Sequence, residues 1–324
     1  VNKLHLYEKL GIQLDLALEA HELLRGATRR EIPGVREEKE TFEHASVTTV
    51  TILNEEGAQQ MGRPPGSYIT IEAPGIRHNN KAVHRSIAEI LAQKLEFLMK
   101  ELNIGTDASV LLVGLGNWDA TPDALGPRVI NHTMVTRHLY HYAPETVKGL
   151  RSVAALAPGV LGITGIETAE IVKGVVEKTK PDLIIAVDAL AASNLERIST
   201  TIQLANTGIN PGSGIGNRRA GINQETMGVP VIAIGVPTVV NATVFVFEAF
   251  ARLFQKHPEV RQKVPDQTVQ NITSNLLAPF EGKLTVTPKE IDDLIKNVSW
   301  IIASGLTMGL HPAIGPEEYA MYLQ

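Results

Sequence analysis

Two apolar runs, each leading to an aspartate, constrain this chain most. Val110 to Val113 is followed by Gly114 and Gly116 and then by a polar loop carrying Asp119 and Asp123, whereas Leu183 to Val187 runs straight into Asp188. Apolar runs without polar alternation suit strands covered on both faces, because a half-exposed strand alternates. Helical patterns lie near them. Val83, Ile87, Ile90, Leu91, Leu95 and Leu98 share one helical face over residues 79 to 102, and Ile171, Val172, Val175 and Val176 do so over 167 to 178. The predicted fold is therefore α/β, with a central, mostly parallel twisted sheet, helices on both faces and a smaller β-containing N-terminal region. In such sheets ligands and catalytic groups gather at the carboxyl ends of strands. Two strands that each deliver an acid there form a candidate site.

Composition removes several chemistries. The chain has 324 residues and a net charge of −5, with no stretch that gathers like charges, so a direct nucleic-acid ligand is not expected. It contains no cysteine, which excludes disulfides, thiol nucleophiles and cysteine-ligated zinc. Charges interrupt the leucines of the first twenty residues, so no signal peptide is read there. The longest apolar stretch, Val229 to Val240, is too short for a membrane span and is broken by Gly235 and Pro237. A cytoplasmic protein without a membrane partner is expected.

Elsewhere the pattern is less decisive. Residues 1 to 26 fit strand or helix. Residues 29 to 40, charged and broken by Pro33 and Gly34, read as a surface connection. Strands are predicted over 46 to 53, 67 to 72 and 229 to 236, and helices over 125 to 142, 241 to 255 and from about Thr287 onward. Residues 207 to 228 are glycine-rich with little apolar content. A loop of that length in a compact domain is usually functional or flexible.

Gly114, Gly116 and Asn117 do not complete G-x-G-x-x-G, and no P-loop lysine follows, so the two glycines are read as permitting a tight exit from the strand. Asp123 and Asp188 carry the sharper hypothesis. Two carboxylates at adjacent strand ends can share one proton, leaving one acid and one base for work on a water molecule. The plainer alternative is that each caps a following helix, and from spacing alone that reading is favoured. Asp119 competes with Asp123 for the same role. His132, His138 and His141 lie close in sequence but lack an H-E-x-x-H frame, and no metal or cofactor is expected. Ser193, Ser213 and Thr238 sit in no G-x-S-x-G or S-x-x-K motif. Arg218 and Arg219, in the glycine-rich loop, are candidates to face an acidic substrate.

Longer motifs change the weighting. LDLALEA at 14 to 20, REIPGV at 30 to 35, TILNEEGAQQMGRPPGSYITIEAPG at 51 to 75, VGLGNWDATPDALGPRV at 113 to 129 and the stretch from Ala186 to Arg219 resemble the germination protease family of spore-forming Firmicutes. The resemblance implies an atypical aspartic endopeptidase of the spore core, made as a self-processing zymogen and assembled as a homotetramer. Its substrates would be the small acid-soluble DNA-binding proteins of the spore. It also implies a catalytic region similar to that of hydrogenase maturation endopeptidases, in which Asp123 in DALGPR and Asp188 in VDAL are the matched acids and Asp119 is not. The autoprocessing bond would lie between Asp15 and Leu16, with residues 1 to 15 as propeptide and 16 to 324 as a single α/β catalytic domain. That domain would include a β-rich portion over about 29 to 75 and the loop 207 to 228. A peptidyl-tRNA hydrolase-like enzyme, which shares a GLGN turn, and a non-enzymatic scaffold whose acids serve only as caps are the alternatives.

Overall fold

The structure is a computed structural model that describes residues 14–26, 31–210, 220–282 and 284–314. Its strands are β1 (Val35–Thr41), β2 (Ser46–Ile52), β3 (Gly66–Glu72), β4 (Val110–Gly114), β5 (Val153–Leu156), β6 (Leu183–Ala192), β7 (Thr201–Ala205), β8 (Val231–Asn241) and β9 (Thr285–Val286). The principal helices are α1 (Ala17–Arg25), α2 (Glu55–Met61), α3 (Lys81–Glu101), α4 (Leu125–His132), α5 (Thr168–Thr179), α6 (Ala242–Lys256), α7 (Asp266–Leu277) and α8 (Ile291–Leu310). All strands join one sheet in the order β1-β2-β3-β7-β8-β6-β4-β5, with β9 paired to β8.

The sheet is mostly antiparallel, which corrects the expectation of a mostly parallel one. The pairings β1–β2, β2–β3, β3–β7, β7–β8 and β8–β9 are antiparallel, whereas only β4–β5, β4–β6 and β6–β8 are parallel. The reason lies in the connections. A parallel return needs a crossover of a dozen or more residues, and the segments after β1 and after β6 are shorter than that, so β2 and β7 run back. The β-containing N-terminal region is continuous with the rest, because β3 pairs directly with β7.

The charged segment read as a connection holds β1. Every residue of VREEKET is paired to β2, yet its side chains are largely exposed. This is an outermost strand of the sheet, and charges on such a strand discourage another chain from adding to its free edge.

Strand alternation sorts the core. Val110, Leu112, Leu183, Ile185 and Val187 face α3, α4 and α8, while Leu111, Val113, Ile184 and Ala186 face α5. Helices thus cover both faces. On the second face α1 lays Ala17 and Ala20 against Val50, Ile52, Tyr68 and Ala205. Close contact between α3 and α8 rests on small residues: a Cβ on Gly305 would come within 2.5 Å of Leu91, and one on Gly309 within 3.1 Å of Leu95. The predicted helix from 125 to 142 ends at His132 instead. Thr133 is extended, and the N–H groups of Thr136 and Arg137 both donate to Val153 O, so this stretch lies along β5.

At the end of α8, His311 is fully buried and its Nδ1 accepts the Arg151 N–H at 3.2 Å. Burial, opposed by a backbone contact at Met134 and aided by the Arg151 charge, pushes this imidazole down from 6.5 to about 4. The folded state therefore favours neutral His311. Its contribution to stability is complete above the unfolded pKa near 6.5 and is lost as pH falls toward 4, on the order of 3 kcal/mol in total. His311→Gln is expected to flatten the stability profile between pH 6.5 and 4 in denaturant titrations. Identical slopes for the two proteins would exclude the histidine as the cause.

Candidate functional site

The parallel block has the spatial order β8-β6-β4-β5, so the chain steps outward from β4 to β5 and then returns across β4 to place β6 on its other side. Adjacent strands whose connections diverge in this way leave a crevice at their carboxyl ends. The two predicted acids come together at this crevice. Gly114 pairs with Val187, and Leu115 N–H donates to Val187 O at 2.8 Å. Asp188 therefore lies just past the end of β4, level with the loop that follows it.

The glycines of that loop permit a tight exit from the strand. Gly116 has φ +115, and a Cβ there would lie 2.0 Å from Asp123 O. Gly126 approaches β6 so closely that a Cβ would meet Val187 O at 2.6 Å. The loop folds back until Asn117 N–H donates to Asp123 O at 3.0 Å and to Asp123 Oδ2 at 2.8 Å. These contacts fix the Asp123 carboxylate over the strand end.

Neither acid is a helix cap. The residue preceding α4 is Ala124, which makes no side-chain cap, and Asp123 is engaged with Asn117 instead. Asp188 lies inside β6, which continues to Ala192, and its Oδ1 accepts the Ala189 N–H at 2.9 Å. Asp119, the competing acid, is exposed on the outside of the loop.

Asp123 and Asp188 line one cleft of about 420 Å³, together with Pro122, Asn210, Thr238 and, unexpectedly, Asp15. The Asp15 Oδ2 accepts the Ala191 N–H at 2.9 Å. Gln203 spans the bond that follows: its Nε2 donates to Asp15 O at 3.2 Å, and its Oε1 accepts the Ala17 N–H at 2.6 Å. A guanidinium nitrogen of Arg63 donates to Leu14 O, and Leu16 is fully buried. The segment from Leu14 to Ala17 is thus held at the cleft by side chains and backbone from three parts of the chain. Sequence reading missed Gln203, Arg63 and the Ala191 amide. Only alternation in β7 gives a hint, since Ile202 and Leu204 point to the large core and leave Gln203 on the opposite face.

Behind Asp15, α1 is anchored by Glu19, 2% exposed, which accepts from Ser193 N–H at 3.0 Å and Ser193 Oγ–H at 2.6 Å. The Arg197 guanidinium lies 3.6 Å from Glu19, 2.8 Å from Glu22 and 3.1 Å from Glu72. Burial still pushes the Glu19 carboxyl up, against the opposing pull of Ser193 and Arg197. Ser193 is therefore spoken for in holding α1.

Arg218 and Arg219, and Ser213 beside them, lie outside the described residues, as do residues 1 to 13 of the expected propeptide. Asn210, at the root of the glycine-rich loop, lines the cleft, and Ile209 bridges to Ile222 across the loop's base. Among the described residues no group of three or more His, Cys, Asp or Glu is placed to hold a metal ion, and no helix is long and apolar enough to cross a membrane.

Comparison with known proteins bears on this site. A family model described as germination protease matches residues 15–263 and 259–323. A germination protease of Caldanaerobacter subterraneus subsp. tengcongensis is 49% identical over 320 residues, covering 95% of this chain and 97% of that protein. One from Clostridium perfringens is 45% identical, covering 97% and 99%, and one from Bacillus mycoides is 39% identical, covering 97% of each. Among solved structures, a hydrogenase maturation protease from Thermococcus kodakarensis matches with a TM-score of 0.29 and 21% identity, over 45% of this chain and 80% of that one.

Proposed function

The chain belongs to the germination protease family, and on that premise we propose that Asp123 and Asp188 together activate a water molecule for peptide-bond hydrolysis. The protein is an atypical aspartic endopeptidase, a self-processing zymogen whose substrates are the small acid-soluble proteins of the spore core. The observation that carries the assignment of the acids is their convergence on one cleft that also holds Asp15, the residue before the expected autoprocessing bond.

One carboxylate, ionised, takes a proton from water as its oxygen adds to the carbonyl carbon of Asp15. The carbonyl π pair moves to oxygen. The other carboxyl, protonated, gives its proton to the Leu16 nitrogen as the C–N bond breaks and the carbonyl re-forms. The products are a new carboxyl on Asp15 and a free amine on Leu16, and the dyad retains one proton with the roles exchanged. Two acids at one cleft supply both transfers without a cofactor in the scheme.

The substrate rule follows from the chain's own bond. An acid, then an apolar residue, then a small one, as in Asp15, Leu16 and Ala17, should mark the cuts made in other chains. We assign Arg218 and Arg219 as the cations that acid-rich unfolded substrates would meet. Mapping of fragments by mass spectrometry is expected to place the self-cut between Asp15 and Leu16, and cuts in a disordered acidic spore protein after acids in the same pattern. A self-cut at another bond would sink the assignment of Asp15 and Leu16.

A further inference from the structure

Resting on the reading that Asp15–Leu16 is the bond cut, we propose that Gln203 is the residue that grips and polarises the scissile peptide. Its Nε2–H serves the carbonyl oxygen before the cut and its Oε1 the second N–H after it, while the Ala191 amide reads the acidic side chain.

The registers of three strands support this. Asp188 on β6 pairs with Gly235 on β8, and Gly235 pairs with Gln203 on β7, so the three lie in one row across the sheet. Their side-chain positions share a face, because the residues flanking Asp188 and Gln203 point into the core on the other side. Two inter-strand steps put the Asp188 and Gln203 backbones about 10 Å apart. The position between them is glycine, and the Leu190 side chain of β6 folds over it, a Cβ on Gly235 lying 2.4 Å from Leu190, so Leu190 floors the row between the acid and the amide. A peptide lying over Leu190, which lines the cleft with Asp15 and Asp188, has the acid on one flank and the amide on the other.

The two hydrogen bonds of Gln203 straddle the bond between Asp15 and Leu16. A side-chain amide offers a donor and an acceptor on one planar group, which matches a carbonyl and an N–H of an extended chain. When water adds to the carbonyl, negative charge develops on the oxygen that Nε2 already faces, so this hydrogen bond strengthens in the transition state. Gln203 is 8% exposed, and such a donor gains from the exclusion of water. The Ala191 N–H, bound to Asp15 Oδ2 at 2.9 Å, explains why an acid suits the position before the cut. A backbone donor of this kind accepts Glu or Asp and gives nothing to an apolar side chain.

A bland alternative is that Gln203 only anchors the chain's own first helix. The two roles separate when the enzyme cuts another molecule. Gln203→Glu keeps the acceptor and loses the neutral donor, and Gln203→Asn keeps both but draws them back by one carbon. Each variant would be trimmed at residue 15 by added wild-type enzyme, purified away from it, checked by thermal melting and assayed on a disordered acidic spore protein. For Gln203→Glu a fall in kcat of about 10²- to 10³-fold is expected, as for loss of one oxyanion donor, with a smaller rise in KM from the lost grip on the uncleaved peptide. Gln203→Asn should fall between that variant and wild type, which keeps the test open if Gln203→Glu fails to fold. Slow self-processing with normal cutting of the spore protein would reduce Gln203 to an anchor and overturn the proposal. Normal rates in both assays would overturn it too, while a wild-type self-cut after Asp15 kept the dyad reading intact.

Discussion

Asp188→Asn is expected to leave the chain uncut at Asp15 and to lower cleavage of an acidic spore protein by about 10²- to 10⁴-fold, the range for loss of a general acid or base. Asp123→Asn should do the same. The substitution is mild structurally. An asparagine at 188 keeps an oxygen for the Ala189 N–H, and one at 123 keeps an oxygen for the Asn117 N–H, so both local hydrogen bonds survive. What is lost is the ability to take or give a proton. Because the two acids act as one unit, the double variant should be scarcely slower than either single one. Wild-type rates in one single variant would favour a mechanism with one acid, and wild-type rates in both would dismiss the dyad. Far-ultraviolet circular dichroism and melting temperatures close to wild type separate a chemical loss from an unfolded protein.

The parts of this site that were legible in sequence are those fixed by short-range geometry. Val110 to Gly116 and Leu183 to Asp188 advertise buried strands and their exits, and the germination protease motifs select Asp123 over Asp119. Capping, the plainer reading of both acids, fails for reasons that spacing does not contain. The loop from Gly116 turns Asp123 back onto Asn117, and β6 runs four residues beyond Asp188. The antiparallel pairing of the sheet was hidden for a different reason. β1 is so charged that its pattern imitates a loop, and β7 is too short to show a period. Their identity as strands comes from partners far along the chain, such as Ile202 opposite Ile71. Gln203 was hidden in the same way, since only the fold of α1 brings Asp15 and Ala17 to it.

Removing Arg197 is expected to be the most destabilising single change near the cleft, at about 3–5 kcal/mol, because it leaves the buried Glu19 carboxylate without its cation. Arg197 is itself 6% exposed and serves Glu22 and Glu72 as well, so Arg197→Ala loosens the join between α1, β3 and the turn after β6. The pH dependence identifies the cause. Burial already raises the Glu19 carboxyl above its unfolded value, and without the arginine it should rise further. A raised carboxyl favours the protonated folded state, so its stability is present below the unfolded pKa and is lost as pH climbs through the folded one. Arg197→Ala should therefore be nearer to wild type at pH 5 than at pH 8 in denaturant titrations. Glu19→Gln in the same chain removes the charge that has lost its partner and should recover part of the loss at pH 8. An equal deficit at both pH values, with no recovery in the double variant, would mean that lost packing of the arginine is responsible. The site consequence follows from position: Glu19 holds Ser193 at the end of the strand that carries Asp188, so the Arg197→Ala chain should also cut its own Asp15–Leu16 bond more slowly at pH 8 than at pH 5, relative to wild type at each pH.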